Sequence, residues 1–299
     1  MMNNRSAKEK RSRFRERLRE ERIVIAPGAF DAFSARLVEY VGFEALYMTG
    51  AGVSAALAGL PDIGLLTMTE MVEQARRISD VTNLPIISDA DTGYGGPLNV
   101  RRTVQQFEKA GVCAIHLEDQ EIPKKCGHLA GKRVISREQM TDRLKAALDA
   151  RVDENFLIIA RTDARATHGL AEALERGRLY SSIGADVIFI EAPESLEEIK
   201  EIARSLKDVP LLINRGGGDR TPPLSAAQLD EMGFRLVIFP GDTQKAAGKA
   251  MVNILNILKE TGNTLSGQGM MMSFEERFEI LGLSRFKEIE ASYSRGEGT

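Results

Sequence analysis

The stretch EDQEIPKKCGHLAGKR, residues 118–133, holds one of the chain's two cysteines and one of its three histidines. Cationic neighbours lower the pKa of a thiol and favour its ionised form. Proline at position 123 and glycine at 127 and 131 are typical of a loop that opens and closes over a site. The alternative is a surface cysteine in a basic loop. The candidate catalytic residues of this segment are Lys124, Lys125, Cys126, Gly127 and His128.

A second group of candidates is acidic. The sequence SDADTGYGG places Asp89 and Asp91 two residues apart on a predicted strand, so both side chains are expected to point to the same face. Glu118 follows at the end of the next predicted strand. Mg²⁺ binds one or two carboxylates together with waters and substrate oxygens, so this pattern predicts a Mg²⁺ site. The alternative is a capped turn with a solvated acid pair.

A third group of residues suits the binding of carboxylates. Arg161 ends an apolar strand, where an arginine needs an anion and binds carboxylates through two nitrogens. The sequence TGAG, residues 49–52, offers backbone N–H groups to an anion. The candidate substrate-binding residues are Thr49, Gly50, Ala51, Arg161, Glu191 and Asn214.

Three further residues have two interpretations each. His116 lies two residues before Glu118 and either supports the site, as a candidate catalytic residue, or fills the interior of the fold. Asp119 and Asp163 either line the site or cap the helices that follow them.

The elements that position these residues are eight short apolar runs, which begin at residues 23, 45, 84, 114, 156, 185, 209 and 236. Continuous apolar runs suit parallel strands that are buried on both faces, and the segments between them have helical patterns. Eight such units predict a (β/α)8 TIM barrel, in which the carboxyl ends of the strands form the active-site face. A doubly wound sheet is the alternative, but no G-x-G-x-x-G sequence follows the first run.

The barrel is expected to span residues 23–260, after a solvated amphipathic helix in residues 1–22 and before a helical extension in residues 261–299. The formal net charge of -3 gives no indication of nucleic-acid or anionic-membrane binding. No run approaches eighteen apolar residues, and the N-terminus lacks the apolar region of a secretory signal. Two cysteines, of which Cys113 is expected in the core, make no disulfide framework and favour the cytoplasm.

Five sequences, KKCGH, SDADTGYGG, LEDQ, ARTDA and GLPDIG, together resemble the isocitrate lyase/phosphoenolpyruvate mutase superfamily. The resemblance covers roughly residues 14–293 and is strongest to its short bacterial 2-methylisocitrate lyases. It implies a barrel whose last helix swaps with a neighbouring subunit in a homotetramer. It also implies cleavage of 2-methylisocitrate or a related 2-alkylmalate by retro-aldol chemistry, to pyruvate and succinate or a related dicarboxylate, with Mg²⁺ or, in its place, Mn²⁺.

The resemblance also assigns roles to the candidate residues. Cys126 would be the acid that protonates the departing carbanion, and Gly127 and His128 would close with the gating loop. Thr49, Gly50, Ala51, Arg161, Glu191 and Asn214 would hold carboxylates. Asp62, Asp89, Asp91 and Glu118 would surround the metal, directly or through water.

Two segments depart from the pattern of the superfamily. The sequence INRGGGDRTPP has Arg215 and three glycines, Gly216, Gly217 and Gly218, where an apolar residue and a glutamate are expected. Gly241 and Asp242 replace more apolar residues after the eighth strand. These departures leave open a phosphonomutase, in which Arg215 and Arg220 would bind phosphate, and a hydrolase or decarboxylase of an oxaloacetate-like acid. A non-catalytic binding protein is a further alternative, but it would have lost the acids or the cysteine.

Overall fold

The computed structural model describes residues 5–127, 129, 131–215 and 221–294. Its centre is a closed barrel of eight parallel strands in chain order, with β1 also paired to β8. All eight predicted strands are present, which confirms the (β/α)8 TIM barrel. The strands are β1 (Val24–Ala29), β2 (Leu46–Met48), β3 (Ile86–Asp89), β4 (Ala114–Glu118), β5 (Leu157–Thr162), β6 (Val187–Ile190), β7 (Leu211–Asn214) and β8 (Leu236–Phe239).

Helices surround the barrel and pack an apolar layer against its outer face. The helices are α1 (Ala7–Arg17), α2 (Ala32–Val41), α3 (Gly50–Val53), α4 (Met68–Val81), α5 (Pro97–Lys109), α6 (Arg137–Ala150), α7 (Ala164–His168), α8 (Leu170–Ile183), α9 (Leu196–Ser205), α10 (Ala226–Glu231), α11 (Asp242–Thr261), α12 (Phe274–Ile280) and α13 (Leu283–Ser294). The side chain of Ser136 caps α6 by accepting a hydrogen bond from the backbone N–H of Gln139. No helix in these described ranges is long and apolar enough to cross a bilayer.

The helix-to-strand junctions depend on glycine at three places. Gly111, Gly184 and Gly233 precede β4, β6 and β8 and have φ angles of +90°, +109° and +96°. Residues other than glycine rarely adopt this left-handed conformation at the end of a helix. The repeated glycine before a strand is therefore a helix stop that aims the chain back into the barrel.

The predicted N-terminal helix is present as α1, but one of its faces packs against the rest of the fold and is not in contact with solvent. Phe14 and Leu18 are almost fully buried and join the apolar cluster that fills the barrel interior. The side chain of Arg11 is also buried, and its Nε donates to the carbonyl of Val112 at 2.9 Å. The burial of this face was not predicted, because α1 has only one large apolar residue and the helix pattern does not reveal the apolar barrel interior that covers it.

The register of the strands sets the height of the polar residues on the opposite, carboxyl end. Asp89 pairs with His116 across β3 and β4, and Glu118 pairs with Arg161 across β4 and β5. Acidic and basic side chains from three consecutive strands therefore lie within two residues of one another in register, near the carboxyl ends where parallel strands build active sites.

Candidate active site

The carboxyl ends of the strands surround a cavity of about 310 Å³. The predicted substrate-binding residues that line it are Thr49, Ala51, Arg161, Glu191 and Asn214. Asp62, Asp89, Cys126 and Gly127, from the other groups of candidates, line it as well. The fold therefore brings a thiol, carboxylate-binding groups and acids together around one cavity.

Gly50 and Asp91 lie in a small adjoining recess, which Asp62 shares with the main cavity. A Cβ atom on Gly50 would lie 2.4 Å from Oδ2 of Asp89. The absence of a side chain at position 50 thus lets the backbone after β2 approach the acid closely.

The candidate metal-binding acids Asp62, Asp89, Asp91 and Glu118 are here called the acid cluster. Asp91 is placed in it by a different backbone conformation from the one that the sequence predicts. Strand β3 ends at Asp89, and Asp91 lies beyond it with a left-handed φ of +47°. Its backbone N–H donates to Oδ1 of Asp89 at 2.9 Å. The prediction that strand alternation puts both side chains on one face was wrong in its geometry, because a tight turn places Asp91.

Lys124 also has an unpredicted position. It is buried, and its Nζ lies 2.7 Å from Oδ1 of Asp91 and forms a second short contact with Asp62. Burial lowers the pKa of the ammonium, but the surrounding carboxylates outweigh this and raise it above the usual value. Lys124 is therefore a permanent charge that neutralises two acids beneath the Cys126 segment.

The acid cluster carries features that suit a divalent cation. Burial raises the pKa of Asp91 to about 6 and that of Glu118 well above its usual value. Oε1 of Glu118 is buried and accepts no hydrogen bond from the described residues. Desolvated carboxylates without enough donors are stabilised by a metal ion.

The metal would also need ligands that the chain does not supply. Within the described ranges, no three His, Cys, Asp or Glu side chains are placed to hold a metal ion by themselves. Mg²⁺ commonly binds through one or two carboxylates and completes its shell with water and substrate oxygens. The residues present fit that mode of binding.

His116 is fully buried in the barrel interior and also reaches the site. Its Nε2 lies 2.5 Å from the hydroxyl oxygen of Tyr47 and 3.4 Å from Oδ1 of Asp89. Burial lowers the pKa of His116 to about 4, so the ring is neutral at physiological pH. Both interpretations of His116 are thus combined in one residue, which supports Tyr47 on the cavity wall and Asp89 in the acid cluster.

Arg161 is held by carboxylates on three sides. Its Nε and Nη2 donate to Asp163 at 2.9 and 3.1 Å, and its Nη1 lies 3.3 Å from Oε2 of Glu118. Nη2 lies 3.8 Å from Oε1 of Glu191, whose other oxygen is buried without a hydrogen bond from the described residues. The guanidinium is therefore oriented before any substrate binds.

Neither Asp119 nor Asp163 caps a helix through its side chain. Oδ1 of Asp119 accepts from the backbone N–H of Asp163 at 2.9 Å, and Oδ2 accepts from Arg176 and Tyr180. Asp163 precedes α7 but makes no side-chain bond to its N-terminus. Of the two interpretations, helix capping is excluded, and both acids instead form a buried network beneath Arg161.

The segment that carries Cys126 lines the cavity through Cys126 and Gly127. The backbone N–H of Cys126 donates to the carbonyl of Asp62 at 3.2 Å. A Cβ atom on Gly127 would lie 2.1 Å from Oε1 of Glu191, so glycine is required for this close approach. Cys113, as predicted, is fully buried away from the cavity.

The remaining candidates of this segment contribute less to the cavity. The side chain of Lys125 donates to the carbonyl of Gly131 at 3.0 Å. The side chain of Gln120 donates to the backbone carbonyl of Lys125 and accepts from its backbone N–H. His128 lies outside the described residues, as do Gly216, Gly217, Gly218 and Arg220. Arg215 is described, and it donates to the carbonyls of Thr221 and Leu224 rather than lining the cavity.

Several residues of the site were missed in the sequence. Tyr47, Gln244 and Lys245 line the cavity, and Nε2 of Gln244 donates to the carbonyl of Gly52 at 2.8 Å. Gln244 and Lys245 lie in the first turn of α11, directly after β8. Polar residues at that point of a barrel are a signal that could have identified them.

Fold and site together define an enzyme of the (β/α)8 class, with a candidate active site at the carboxyl ends of its strands. The description of the matching family model is phosphoenolpyruvate phosphomutase, and the match covers residues 14–259. The chain belongs to this family, within the isocitrate lyase/phosphoenolpyruvate mutase superfamily.

Individual relatives are similar over almost the whole chain. A 2,3-dimethylmalate lyase from Eubacterium barkeri is 47% identical over 95% of this chain and 98% of its own. A 2-methylisocitrate lyase from Halalkalibacterium halodurans is 40% identical over 97% and 95%. The structure of an oxaloacetate acetylhydrolase in complex with 3,3-difluorooxalacetate superposes with a TM-score of 0.91, at 36% identity and 97% coverage of both chains. These likenesses place the chain among oxo-acid lyases.

Proposed function

We propose that this protein is a Mg²⁺-dependent carbon–carbon lyase that cleaves a 2-alkylmalate, a class that includes 2-methylisocitrate, to a 2-oxo acid, which is pyruvate where the 2-alkyl group is methyl, and a second carboxylate. The observation that carries this proposal is the cavity in which Cys126 faces Arg161, Glu191 and Asn214 beside the acid cluster. The proton of the 2-hydroxyl group passes to a neighbouring carboxylate or water as the C2–C3 bond breaks, and C2 becomes the carbonyl carbon of the 2-oxo acid. C3 keeps the electron pair of the broken bond and takes a proton.

Cys126 is suited to deliver that proton. It is half-buried on the cavity wall and is held there by its backbone bond to Asp62 and by the close packing of Gly127. A thiol is a stronger acid than a hydroxyl group and can protonate a carbanion that forms within its reach.

The carboxylates of the substrate have matching groups on the cavity wall. Arg161 presents a pre-oriented guanidinium, and the backbone at Thr49 and Ala51 approaches the same space. Asp89, Asp91 and Glu118, with Asp62 near them, would hold Mg²⁺ through a few of their oxygens and through water. When bound, Mg²⁺ supplies positive charge that stabilises the oxygen on which negative charge collects.

The likeness to 2,3-dimethylmalate lyase, at 47% identity, favours a 2-alkylmalate dicarboxylate over the larger tricarboxylate 2-methylisocitrate. A phosphonomutase is supported less, because Arg215 binds backbone carbonyls rather than lining the cavity. Hydrolysis of an oxaloacetate-like acid remains a second candidate, and the likeness to oxaloacetate acetylhydrolase favours it.

A substrate panel tests the proposal. The protein is incubated with Mg²⁺ and, one at a time, 2,3-dimethylmalate, 2-methylisocitrate, isocitrate, oxaloacetate and phosphonopyruvate, and the products are identified by mass spectrometry. We expect release of pyruvate from a 2-alkylmalate and none after treatment with a chelator. Oxalate and acetate from oxaloacetate would instead establish the hydrolase, and phosphoenolpyruvate from phosphonopyruvate would establish the mutase.

We also propose that the protein works as a homotetramer, as its superfamily resemblance implies. Helix α11 is 20 residues long, yet none of its residues is buried. Its exposed apolar residues are Met251, Val252, Leu255 and Leu258. The segment after it also exposes Met270, Met271, Met272 and Phe274. Exposed apolar residues in this number, on one helix and the segment that follows it, are typical of a subunit interface.

Sedimentation velocity tests this assembly. The wild-type chain should sediment as a species of four subunits, and Leu255→Glu should shift it to smaller species because a charge would be buried in the interface. Lys249→Glu, on another side of α11, is the matched control and should leave the assembly unchanged. A wild-type protein that sediments as a monomer at micromolar concentration would contradict the proposal.

A further inference from the structure

Lys132 is a buried cation that the proposed chemistry does not use. Its side chain is only 2% exposed, and its Nζ lies 2.7 Å from Oδ1 of Asp163. The same Nζ donates to the backbone carbonyl of Gly127, the residue that follows Cys126. One ammonium group therefore joins the Cys126 segment, residues 121–127, to an acid at the end of β5.

Asp163 is the same carboxylate that orients Arg161. Its Oδ2 accepts from Nε of Arg161, and its Oδ1 accepts from both Nη2 of Arg161 and Lys132. Burial alone would raise the pKa of Asp163, but these two cations outweigh it and lower the pKa to about 2. Asp163 is therefore ionised at neutral pH and can hold both cations at once.

Asp163 is itself held in place by a network of buried hydrogen bonds. Its backbone N–H donates to Asp119, whose carboxylate accepts from Arg176 and from the hydroxyl of Tyr180, both at 2.9 Å. All of these groups are buried. Polar groups that are fully bonded in a low-dielectric interior hold a rigid geometry, so Asp163 is a fixed anchor.

The other end of this connection lies directly on the cavity. The backbone of Gly127 packs so closely on Arg161 that a Cβ atom would lie 2.6 Å from its Nη2 and still closer to Glu191. The carbonyl that Lys132 holds thus belongs to the residue that separates the thiol from the substrate-binding arginine.

We propose that Lys132 is a positioning residue that latches the Cys126 segment to Asp163, and so ties the approach of the thiol to the placement of Arg161. Lys132 touches neither the substrate nor the reacting atoms, and it acts through Gly127 and Asp163. The kinetic part of the inference rests on the proposed function, because Cys126 is the proton donor in it. The latch itself is a property of the folded chain and is tested without substrate.

The central experiment compares Lys132→Met with Arg133→Met. Methionine fills much of the same space but cannot donate, whereas Arg133 is exposed and, among the described residues, forms a surface ion pair with Glu121. For Lys132→Met we expect kcat to fall about 10²-fold, as for a small misplacement of a reacting group, with KM changed little because Asp163 still orients Arg161. Arg133→Met should match the wild type in both.

Alkylation of Cys126 gives a readout that is independent of turnover. Iodoacetamide labelling is followed by peptide mass spectrometry, with the buried Cys113 as an unreactive internal reference. Loss of the latch should raise the labelling rate of Cys126 about tenfold, because the segment opens more often. If Lys132→Met labels at the wild-type rate and keeps its kcat, the latch is refuted, whatever reaction the wild type catalyses.

Rescue by an amine separates a latch from general stabilisation. Lys132→Ala leaves a space beside Asp163, and added ethylammonium should restore slow labelling of Cys126 and part of kcat, while an equal concentration of tetramethylammonium should not. This variant also serves if Lys132→Met is too unstable to purify. Slow labelling of Lys132→Ala without added amine would overturn the proposal.

Discussion

Cys126→Ser is expected to abolish carbon–carbon cleavage while leaving substrate and product binding nearly intact. Serine preserves the size of the side chain and the backbone bond to Asp62, but its hydroxyl is a far weaker acid than a thiol. General acids of this kind contribute roughly 10²- to 10⁴-fold to turnover, so we expect kcat to fall by about 10³-fold or more. The measurement is the rate of pyruvate release at saturating substrate, together with calorimetric titration of the products.

The chain supplies a matched control for this variant. Cys113 is the only other cysteine in the sequence; it is fully buried, and burial raises the pKa of its thiol to about 11. Cys113→Ala should therefore change stability slightly and leave kcat unchanged. Normal turnover in Cys126→Ser would show that another group donates the proton, and loss of product binding in that variant would show that Cys126 has a structural role instead.

The strands and the polar residues at their ends were predictable because both follow from local sequence. Runs such as LIIA before Arg161 and VIFI before Glu191 are apolar at every position, which only a strand buried on both faces requires. Once the parallel barrel is inferred, its geometry places the residues after each strand on one face. That reasoning located Thr49, Asp89 and Glu118 without knowledge of any contact.

The residues that the sequence did not identify depend on contacts between distant segments. Lys132 lies in a basic loop like its neighbours, and only the folded chain brings its ammonium to Asp163, 31 positions away. In the sequence, Tyr47 is one more residue of the mostly apolar strand β2, and only the folded chain shows that its hydroxyl contacts His116. The turn at Asp91 likewise could not be inferred, because a left-handed aspartate gives no pattern in the sequence.

The acids of the site show why such contacts decide function. Asp62, Asp89, Asp91 and Glu118 are too many negative charges for a buried region unless cations share it. Lys124 compensates Asp62 and Asp91, and Arg161 compensates Glu118. The permanent cations therefore neutralise the acids in separate groups. Asp89 on the cavity wall and Oε1 of Glu118, which accepts no hydrogen bond from the described residues, are left for a metal or its water.

Arg161→Gln is expected to remove activity and also to destabilise the barrel. The substitution takes one cation from three buried carboxylates, Asp163, Glu118 and Glu191. Breaking a buried ion pair on one side commonly costs about 3–5 kcal/mol, because the remaining charge lacks a partner. Loss of the guanidinium that would bind the substrate carboxylate should lower kcat/KM by a further factor of about 10³.

Arg165→Gln is the matched control. Arg165 lies four residues further on, in α7, and also forms a two-nitrogen pair, with Glu198 at 2.9 and 2.7 Å, but it does not line the cavity. Thermal denaturation and kcat/KM are measured for both variants and for Arg161→Lys. Lysine keeps the charge but not the planar fork, so it should recover much of the stability and little of the activity. Both variants break an arginine–carboxylate pair, but only Arg161→Gln removes a group from the cavity wall. Equal losses of kcat/KM in the two variants would therefore mean that Arg161 acts only through the stability of the fold.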